Sequence, residues 1–216
     1  MNKLFETRRL THAVALTVLV ATLSGCAPLI LGGAMVGSGL VITDRRTTGI
    51  QVEDQSIEFK AAARVRELAT LGRVDATSYN RIVLLTGEVP AAADRMVVEK
   101  AVAGVENVRS VVNELTVGDK PSLVARSTDA VLAGKVKATF VDTKDVQANA
   151  YKVVAERGVV YLMGRVSERE AQRGTEIARS VSGVQKVVRV FEILTEAELA
   201  TLGTRTAPAS SAPTPR

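Results

Sequence analysis

The 216 residues are poor in three residue types that carry much of protein chemistry: the chain has one cysteine, Cys26, one histidine, His12, and no tryptophan. A single cysteine excludes an internal disulfide, and it excludes the clusters of thiolates that structural zinc sites use. Aromatic residues make up only 3% of the chain. This scarcity argues against stacking platforms for single-stranded nucleic acid or for sugars.

The first 25 residues have the pattern of a bacterial export signal. A positively charged start is followed by the apolar run AVALTVLVATL at residues 13–23. The next residues complete the sequence LSGC, residues 23–26, which resembles the bacterial lipobox, where the cysteine is acylated and the chain is cut before it. The resemblance implies that residues 1–25 are a signal peptide and that Cys26 is the lipidated first residue of the mature chain.

Removal of this signal would also remove His12, so the mature chain would contain no histidine and no free thiol. Catalysis by Ser-His-Asp or Cys-His groups is then excluded, as are histidine-based zinc and iron sites. Chemistry by a pair of carboxylates remains possible, but the sequence spacing shows no such pair. We therefore predict a protein that is not an enzyme, with no catalytic residues, no metal site and no cofactor.

A second apolar stretch, APLILGGAMVGSGLVI, follows at residues 27–42. One alternative is that it forms a transmembrane helix together with the first apolar run. Pro28 and several glycines interrupt the run, and each glycine weakens a helix by up to about 1 kcal/mol. We favour a lipidated, glycine-rich, apolar tether at residues 26–50. Ala27 is not the aspartate that usually retains such lipoproteins at the inner membrane, which implies the periplasmic face of the outer membrane.

The net charge is modest. The formal charge of the whole chain is +5, and about two of these charges belong to the predicted signal peptide. A weakly basic chain does not have the charge pattern of a nucleic-acid-binding protein, so we predict no nucleic-acid partner. At a membrane, each suitably placed lysine or arginine favours anionic headgroups by about 1 kcal/mol.

The remaining sequence contains an internal repeat. The segment RIVLLTGEV at residues 81–89 matches GVVYLMGRV at residues 158–166. Further along, AGVENVRSVV at residues 103–112 matches SGVQKVVRVF at residues 182–191, with Gly-Val aligned to Gly-Val. Two copies of one small domain explain this pattern better than a solenoid, which normally needs three or more repeats.

Each copy has the order helix, strand, strand, helix, strand. Apolar spacing predicts first helices at residues 56–69 and 129–141, each with an aspartate near its N-cap. The strands form a hairpin. The second helices are predicted to begin at Pro90 and at Ser167, where Ser167 and Glu170 form a capping box, and to end at Gly104 and Gly183. The predicted class is α+β, with a small three-stranded mixed sheet packed on two helices in each domain.

These units resemble the BON domain, through the apolar run ending in glycine-x-valine and the later Gly-Val-x-x-Val. With the lipobox, the tether and the segment DRRTTGIQVEDQSIE at residues 44–58, the chain resembles the dual BON-domain outer-membrane lipoproteins. The short linker predicts that the two domains share an interface. The predicted boundaries are domain 1 at 51–118, a linker at 119–127, domain 2 at 128–196, and a C-terminal extension with a disordered tail at 197–216.

The resemblance implies a binding module without a catalytic site. In such lipoproteins the first helix of the second domain binds anionic phospholipid, chiefly phosphatidylglycerol, and the protein supports envelope integrity and collects at division sites. Here that helix is residues 129–140. Its core-facing residues are predicted to be Leu132, Val136 and Phe140, and its lipid-binding residues Val131, Lys135 and Lys137. A large aromatic residue often occupies the place of Val131 in the family pattern.

Three alternatives to lipid binding by these residues stay open. The lysines could be an ordinary solvated helix face, as most charged faces are. The protein could also be a membrane-anchored adaptor that binds other envelope proteins, such as the machinery for outer-membrane assembly or cell-wall remodelling. A carboxylate-dependent hydrolase is the least favoured reading. The sequence does not predict an oligomeric state.

Overall fold

The computed structural model describes residues 44–68 and 72–205. The predicted signal peptide, the predicted lipidation site Cys26, most of the predicted tether and the tail after residue 205 lie outside the described residues. In the described part, no helix is both long enough and apolar enough to cross a bilayer.

The first domain is a small sheet with two helices on one face. Strand β2 pairs antiparallel with β1 and parallel with β3 and β4. The apolar core lies between the sheet and the helices. The elements are α1 (Thr48–Glu67), β1 (Arg73–Tyr79), β2 (Ile82–Val89), α2 (Ala92–Ala103), β3 (Ser110–Asn113) and β4 (Thr116–Val117).

The second domain repeats this order. Strand β6 pairs antiparallel with β5 and parallel with β7, and a core of its own lies under its two helices. The predicted α+β class and the helix-strand-strand-helix-strand order are confirmed. The first domain differs only in that its last strand is broken into β3 and β4. The elements are α3 (Leu123–Asp142), β5 (Tyr151–Glu156), β6 (Val159–Val166), α4 (Glu168–Ser180), β7 (Lys186–Ile193) and α5 (Glu196–Arg205).

The two sheets pack against each other through the faces that their own helices leave uncovered. Tyr79 and Leu84 of the first domain lie in one buried cluster with Tyr161, Met163 and Val190 of the second. Strands covered on both faces need apolar side chains on both sides, which explains the nearly continuous apolar runs in β2 and β6. The shared interface predicted from the short linker is confirmed.

Both long helices begin earlier than the apolar spacing predicts. Helix α1 begins at Thr48 rather than at residue 56, and α3 begins at Leu123 rather than at residue 129. The true N-caps are Thr47 and Ser122, whose hydroxyl oxygens accept hydrogen bonds from backbone N–H groups three residues on, at 3.3 and 3.1 Å. The ends of the predicted tether and linker are therefore helical.

The prediction that an aspartate caps each first helix is wrong. Asp54 and Asp129 lie inside α1 and α3, where they are buried. Asp54 accepts hydrogen bonds from the backbone N–H groups of Asn80 and Arg81, both at 2.8 Å. Asp129 accepts the equivalent bonds from the second hairpin turn, at 2.9 and 3.0 Å. Each aspartate thus joins its helix to a tight turn whose two central residues have positive φ.

The second helices show two confirmed and two wrong boundaries. Helix α2 ends at Ala103 with Gly104 as its C-cap, as predicted. The predicted capping box is present: Ser167 N–H donates to Glu170 Oε2 at 2.9 Å, and Glu170 N–H donates to Ser167 Oγ at 3.4 Å. Helix α2 begins at Ala92, two residues after Pro90. Helix α4 ends at Ser180, before the predicted Gly183.

The alignment of the two Gly-Val pairs is also wrong by three residues. Arg109 N–H donates to the carbonyl of the first hairpin turn at 2.8 Å, and Gln185 N–H makes the same bond in the second domain at 2.9 Å. The positive-φ residues two positions earlier are Asn107 and Gly183. The structural partner of Gly183 is therefore Asn107, not Gly104.

Candidate functional site

The outer face of α3 carries four exposed apolar side chains. Leu123 and Val124 are each 74% exposed, Val131 is 58% exposed and Val141 is 72% exposed. The residues predicted to face the core, Leu132, Val136 and Phe140, are buried. Sequence analysis missed Leu123 and Val124 because it assigned them to the linker, although two adjacent apolar residues in a polar linker were a usable signal.

The charged side chains on the same helix are mostly basic. Arg126, Lys135 and Lys137 are exposed. From residue 123 to residue 141 the only acid is Asp129, and this carboxylate is buried and occupied by the hairpin turn. The exposed surface of α3 over this span therefore combines apolar and cationic groups with no exposed anion, and Asp142 follows at its C-terminal end. Such a surface suits the boundary between lipid headgroups and acyl chains.

Two of the three predicted lipid-binding residues line one cavity. Val131 and Lys135 lie at an open groove of about 620 Å³ between α3, the β5–β6 turn and the loop before β7. Arg157, from that turn, lines the same groove and was not identified from the sequence. Lys137 lies apart from these residues. It lines a second groove, of about 510 Å³, together with Val141.

The segment just before α1 binds the second domain. The Arg45 guanidinium donates to both carboxylate oxygens of Glu170 at 2.7 Å, and also to the backbone carbonyl of Arg165 at 2.7 Å. Burial raises the pKa of Glu170, but the bonds from Arg45 and the backbone of Ser167 outweigh burial, so the net pKa is lowered. Arg45 therefore attaches the start of the described chain firmly to α4 and β6.

Arg46 attaches the same segment to the first domain. Its Nη1 atom donates to Asp54 Oδ2 at 2.8 Å, and its guanidinium lies 4.1 Å from the centre of the Tyr79 ring. Asp44 and Arg46 also line the groove that contains Lys137 and Val141. The point where the predicted tether meets the folded chain thus lies beside the C-terminal half of α3.

Two carboxylates that sequence spacing did not bring together lie near each other at the domain interface. Glu88 is 1% exposed and lies 3.5 Å from Arg157, whereas Glu156 lies 3.2 Å from Arg73. Burial raises the pKa of Glu156, and nearby Glu88 raises it further against the opposing effect of Arg73. Because each acid pairs with an arginine of the opposite domain, this pair favours a role in domain association over catalysis.

Within 44–68 and 72–205, no three histidine, cysteine, aspartate or glutamate side chains are grouped so that they could hold a metal ion. The lipidation prediction at Cys26 stays a prediction, since that residue lies outside this part.

Comparison with known proteins assigns the class. The family model described as the BON domain matches twice, at residues 53–119 and 128–195. The chain belongs to the BON-domain family, and it carries two copies of the domain. This result confirms the resemblance noted in the sequence.

The individual relatives agree with this class. The chain is 42% identical over 176 residues to Outer membrane lipoprotein DolP of Haemophilus influenzae, covering 80% of this chain and 90% of that protein. It is 33% identical to a 21 kDa hemolysin of Actinobacillus pleuropneumoniae, covering 68% and 78%. It is 29% identical to Osmotically-inducible protein Y of Escherichia coli, covering 81% and 90%. These matches support membership in the BON-domain outer membrane lipoproteins.

Proposed function

We propose that the protein is a non-enzymatic lipoprotein on the periplasmic face of the outer membrane, and that it binds anionic phospholipid through α3 of its second domain. Cys26 carries the lipid anchor. Phosphatidylglycerol is the preferred headgroup among the common bacterial lipids. Through this contact the protein supports envelope integrity, including at division sites.

The observation that carries this proposal is the outer face of α3. It presents four exposed apolar side chains with three cations and no exposed acid before Asp142. Apolar side chains such as Val131 gain free energy by leaving water at the headgroup boundary, at about 25 cal/mol per Å² of buried area. The lysines add attraction to an anionic surface, at about 1 kcal/mol for each charge close to it.

The first helix of the first domain has a different charge pattern. On α1, Lys60 pairs with Glu106 at 2.8 Å and Arg64 pairs with Glu67 at 3.2 Å. Two of the three exposed cations of α1 are therefore already matched by acids of the same domain, and the third is Arg66. This difference supports the second domain as the part that meets the lipid.

The start of the described residues lies at the same surface. Arg45 and Arg46 hold the chain start against both domains, and Asp44 lies in the groove with Lys137 and Val141. The predicted tether therefore joins the folded part beside the C-terminal half of α3.

The test is flotation with vesicles. The chain from residue 26 on, with Cys26→Ser so that no acyl chain is attached, is mixed with vesicles of phosphatidylcholine alone or with added phosphatidylglycerol. We expect binding only to the anionic vesicles and its loss in Lys135→Glu/Lys137→Glu. The matched control is Lys100→Glu/Lys120→Glu, which reverses two exposed lysines outside α3. Equal loss in both variants would contradict the assignment to α3.

A second candidate is an adaptor that binds envelope proteins, such as the assembly or cell-wall remodelling machinery. Exposed apolar side chains on the first domain favour it: Phe59 on α1 is 73% exposed and Met96 on α2 is 75% exposed. This reading predicts that Phe59→Ser/Met96→Ser abolishes co-purification of a partner from envelopes. The same substitutions should leave vesicle binding unchanged.

A further inference from the structure

The two domains place a lysine at the same position of their first helices. Lys60 lies six residues after Asp54, and Lys135 lies six residues after Asp129. Both aspartates accept the same pair of hydrogen bonds from the hairpin turn, so the two helices have the same register on their sheets. The two lysines are therefore structural equivalents.

The loops opposite these lysines differ. In the first domain, Glu106 precedes the positive-φ residue Asn107, and its carboxylate accepts a hydrogen bond from Lys60 Nζ at 2.8 Å. In the second domain, the residue before the positive-φ Gly183 is Ser182. The carboxylate that neutralises the lysine in the first domain is thus replaced by a hydroxyl in the second.

The replacement leaves a cationic cavity. Lys135 and Ser182 both line the groove of about 620 Å³, together with Arg157. Among the described residues that line it, the only acid is Asp129, which is occupied by the backbone N–H groups of the hairpin turn. No acid of the described chain forms an ion pair with Lys135.

Two further differences between the domains also favour a lipid ligand in the second domain. The equivalent of Val131 in the first domain is Ser56, and the equivalent of Arg157 in the hairpin turn is Asn80. Relative to the first domain, the second has lost an internal anion and gained an apolar side chain at one cavity. It also carries Arg157 there, which pairs with Glu88 across the domain interface. Together these changes match a ligand with an anionic group and adjoining apolar carbons.

We infer that this groove binds the phosphate group of an anionic membrane glycerophospholipid, with Lys135 as its cationic ligand. Arg157 lies beside it, with its guanidinium 3.5 Å from Glu88 of the first domain. In the first domain, Glu106 fills the equivalent anion position from within the chain. Ser182 is then the residue that leaves the second site open, and Val131 faces the carbons next to the phosphate. This inference rests on the proposed function, because it requires that α3 meets the membrane.

The test restores the missing carboxylate. Ser182→Glu places an acid opposite Lys135, as Glu106 is placed opposite Lys60, and Ser180→Glu is the matched control two residues away and outside the groove. In the Cys26→Ser chain, we expect Ser182→Glu to weaken binding to phosphatidylglycerol vesicles about fivefold, because the added carboxylate offsets the one positive charge of Lys135. Ser180→Glu should change it less than about twofold. Lys135→Gln, an exposed change that keeps the fold, should weaken binding about fivefold.

The outcomes separate this inference from the proposed function. Absence of vesicle binding by the unaltered chain overturns the proposed function and the inference with it. Equal binding by Ser182→Glu, Lys135→Gln and the unaltered chain overturns the inference alone. The last experiment adds soluble glycerol phosphate and follows the NMR resonances of Ser182 and Gly183. Shifts of these resonances without any vesicle binding would show a site for free phosphate and would overturn the lipid assignment.

Discussion

The guanidinium of Arg45 donates one hydrogen bond to each carboxylate oxygen of Glu170, both at 2.7 Å, across 125 residues of chain. Both side chains are largely buried, and Glu170 also accepts from the backbone of Ser167. A buried bidentate pair of this kind is stronger than a surface ion pair. The start of the folded chain is therefore part of the second domain's structure, and not a loose extension of the tether.

Arg45→Ala is expected to lower the free energy of unfolding by about 2–4 kcal/mol, because it removes several charge-assisted hydrogen bonds and leaves the largely buried carboxylate of Glu170 without them. Urea unfolding followed by circular dichroism measures this change. Arg169→Ala is the control, since that arginine is exposed and lies 3.8 Å from its acid. It should cost less than about 0.5 kcal/mol, and an equal cost for the two variants would contradict the account.

Stability is expected to fall in acid. The folded chain lowers the pKa of Glu170 and of Asp54, because hydrogen bonds to the carboxylates outweigh the effect of burial, which raises both values. A carboxyl group whose pKa is lowered by folding stabilises the folded state at every pH above its pKa in the unfolded chain, which is about 4 for these groups. That contribution is lost as the pH falls through the folded values. The free energy of unfolding should therefore decrease as the pH is lowered from 7 to 3. In the Arg45→Ala variant this decrease should be less steep below about pH 4.5.

Asp129→Asn should destabilise the second domain by about 1–3 kcal/mol, because an amide cannot accept from both N–H groups of the hairpin turn as the carboxylate does. Amide hydrogen exchange gives a local readout. The exchange of Arg157 and Gly158 should accelerate more than that of the second domain as a whole. Asp142→Asn, at the exposed end of α3, is the control and should leave these amides unchanged.

The interface between the sheets predicts cooperative unfolding. Leu84 is fully buried in the cluster shared with Tyr161 and Met163. The two domains should therefore unfold in one transition, seen alike by circular dichroism and tyrosine fluorescence. Leu84→Ala should lower the unfolding free energy by about 2–5 kcal/mol, whereas Val117→Ala on exposed β4 should have little effect. Two separate transitions in the unaltered chain would contradict this account.

The repeat and the element order were predictable because buried positions impose strong patterns. The apolar spacing of Leu132, Val136 and Phe140 and the runs in β2 and β6 follow directly from what they pack against. The capping box at Ser167 was recognisable because its two side chains are local in sequence. These features depend on neighbours within a few residues or on periodic burial.

The features that were missed depend on distant partners. The first turns of α1 and α3 are exposed, so buried apolar residues do not recur there at helical spacing. Their N-caps, Thr47 and Ser122, look like ordinary polar loop residues. The bonds of Asp54 to a turn and of Arg45 to α4 join segments far apart in the chain. The pairing of Glu106 with Lys60 was hidden by a three-residue shift between the loops of the two domains.

The most direct test of the central claim is a depth measurement on α3. Cys26 is the only cysteine, so Cys26→Ser allows a single fluorophore at Val131→Cys or, as the control on α2 of the first domain, at Met96→Cys. The account predicts that phosphatidylglycerol vesicles with brominated acyl chains quench the label at position 131 and leave the label at position 96 unquenched. Quenching at position 96 alone, or equal and weak quenching at both positions on bound protein, would contradict membrane contact through α3.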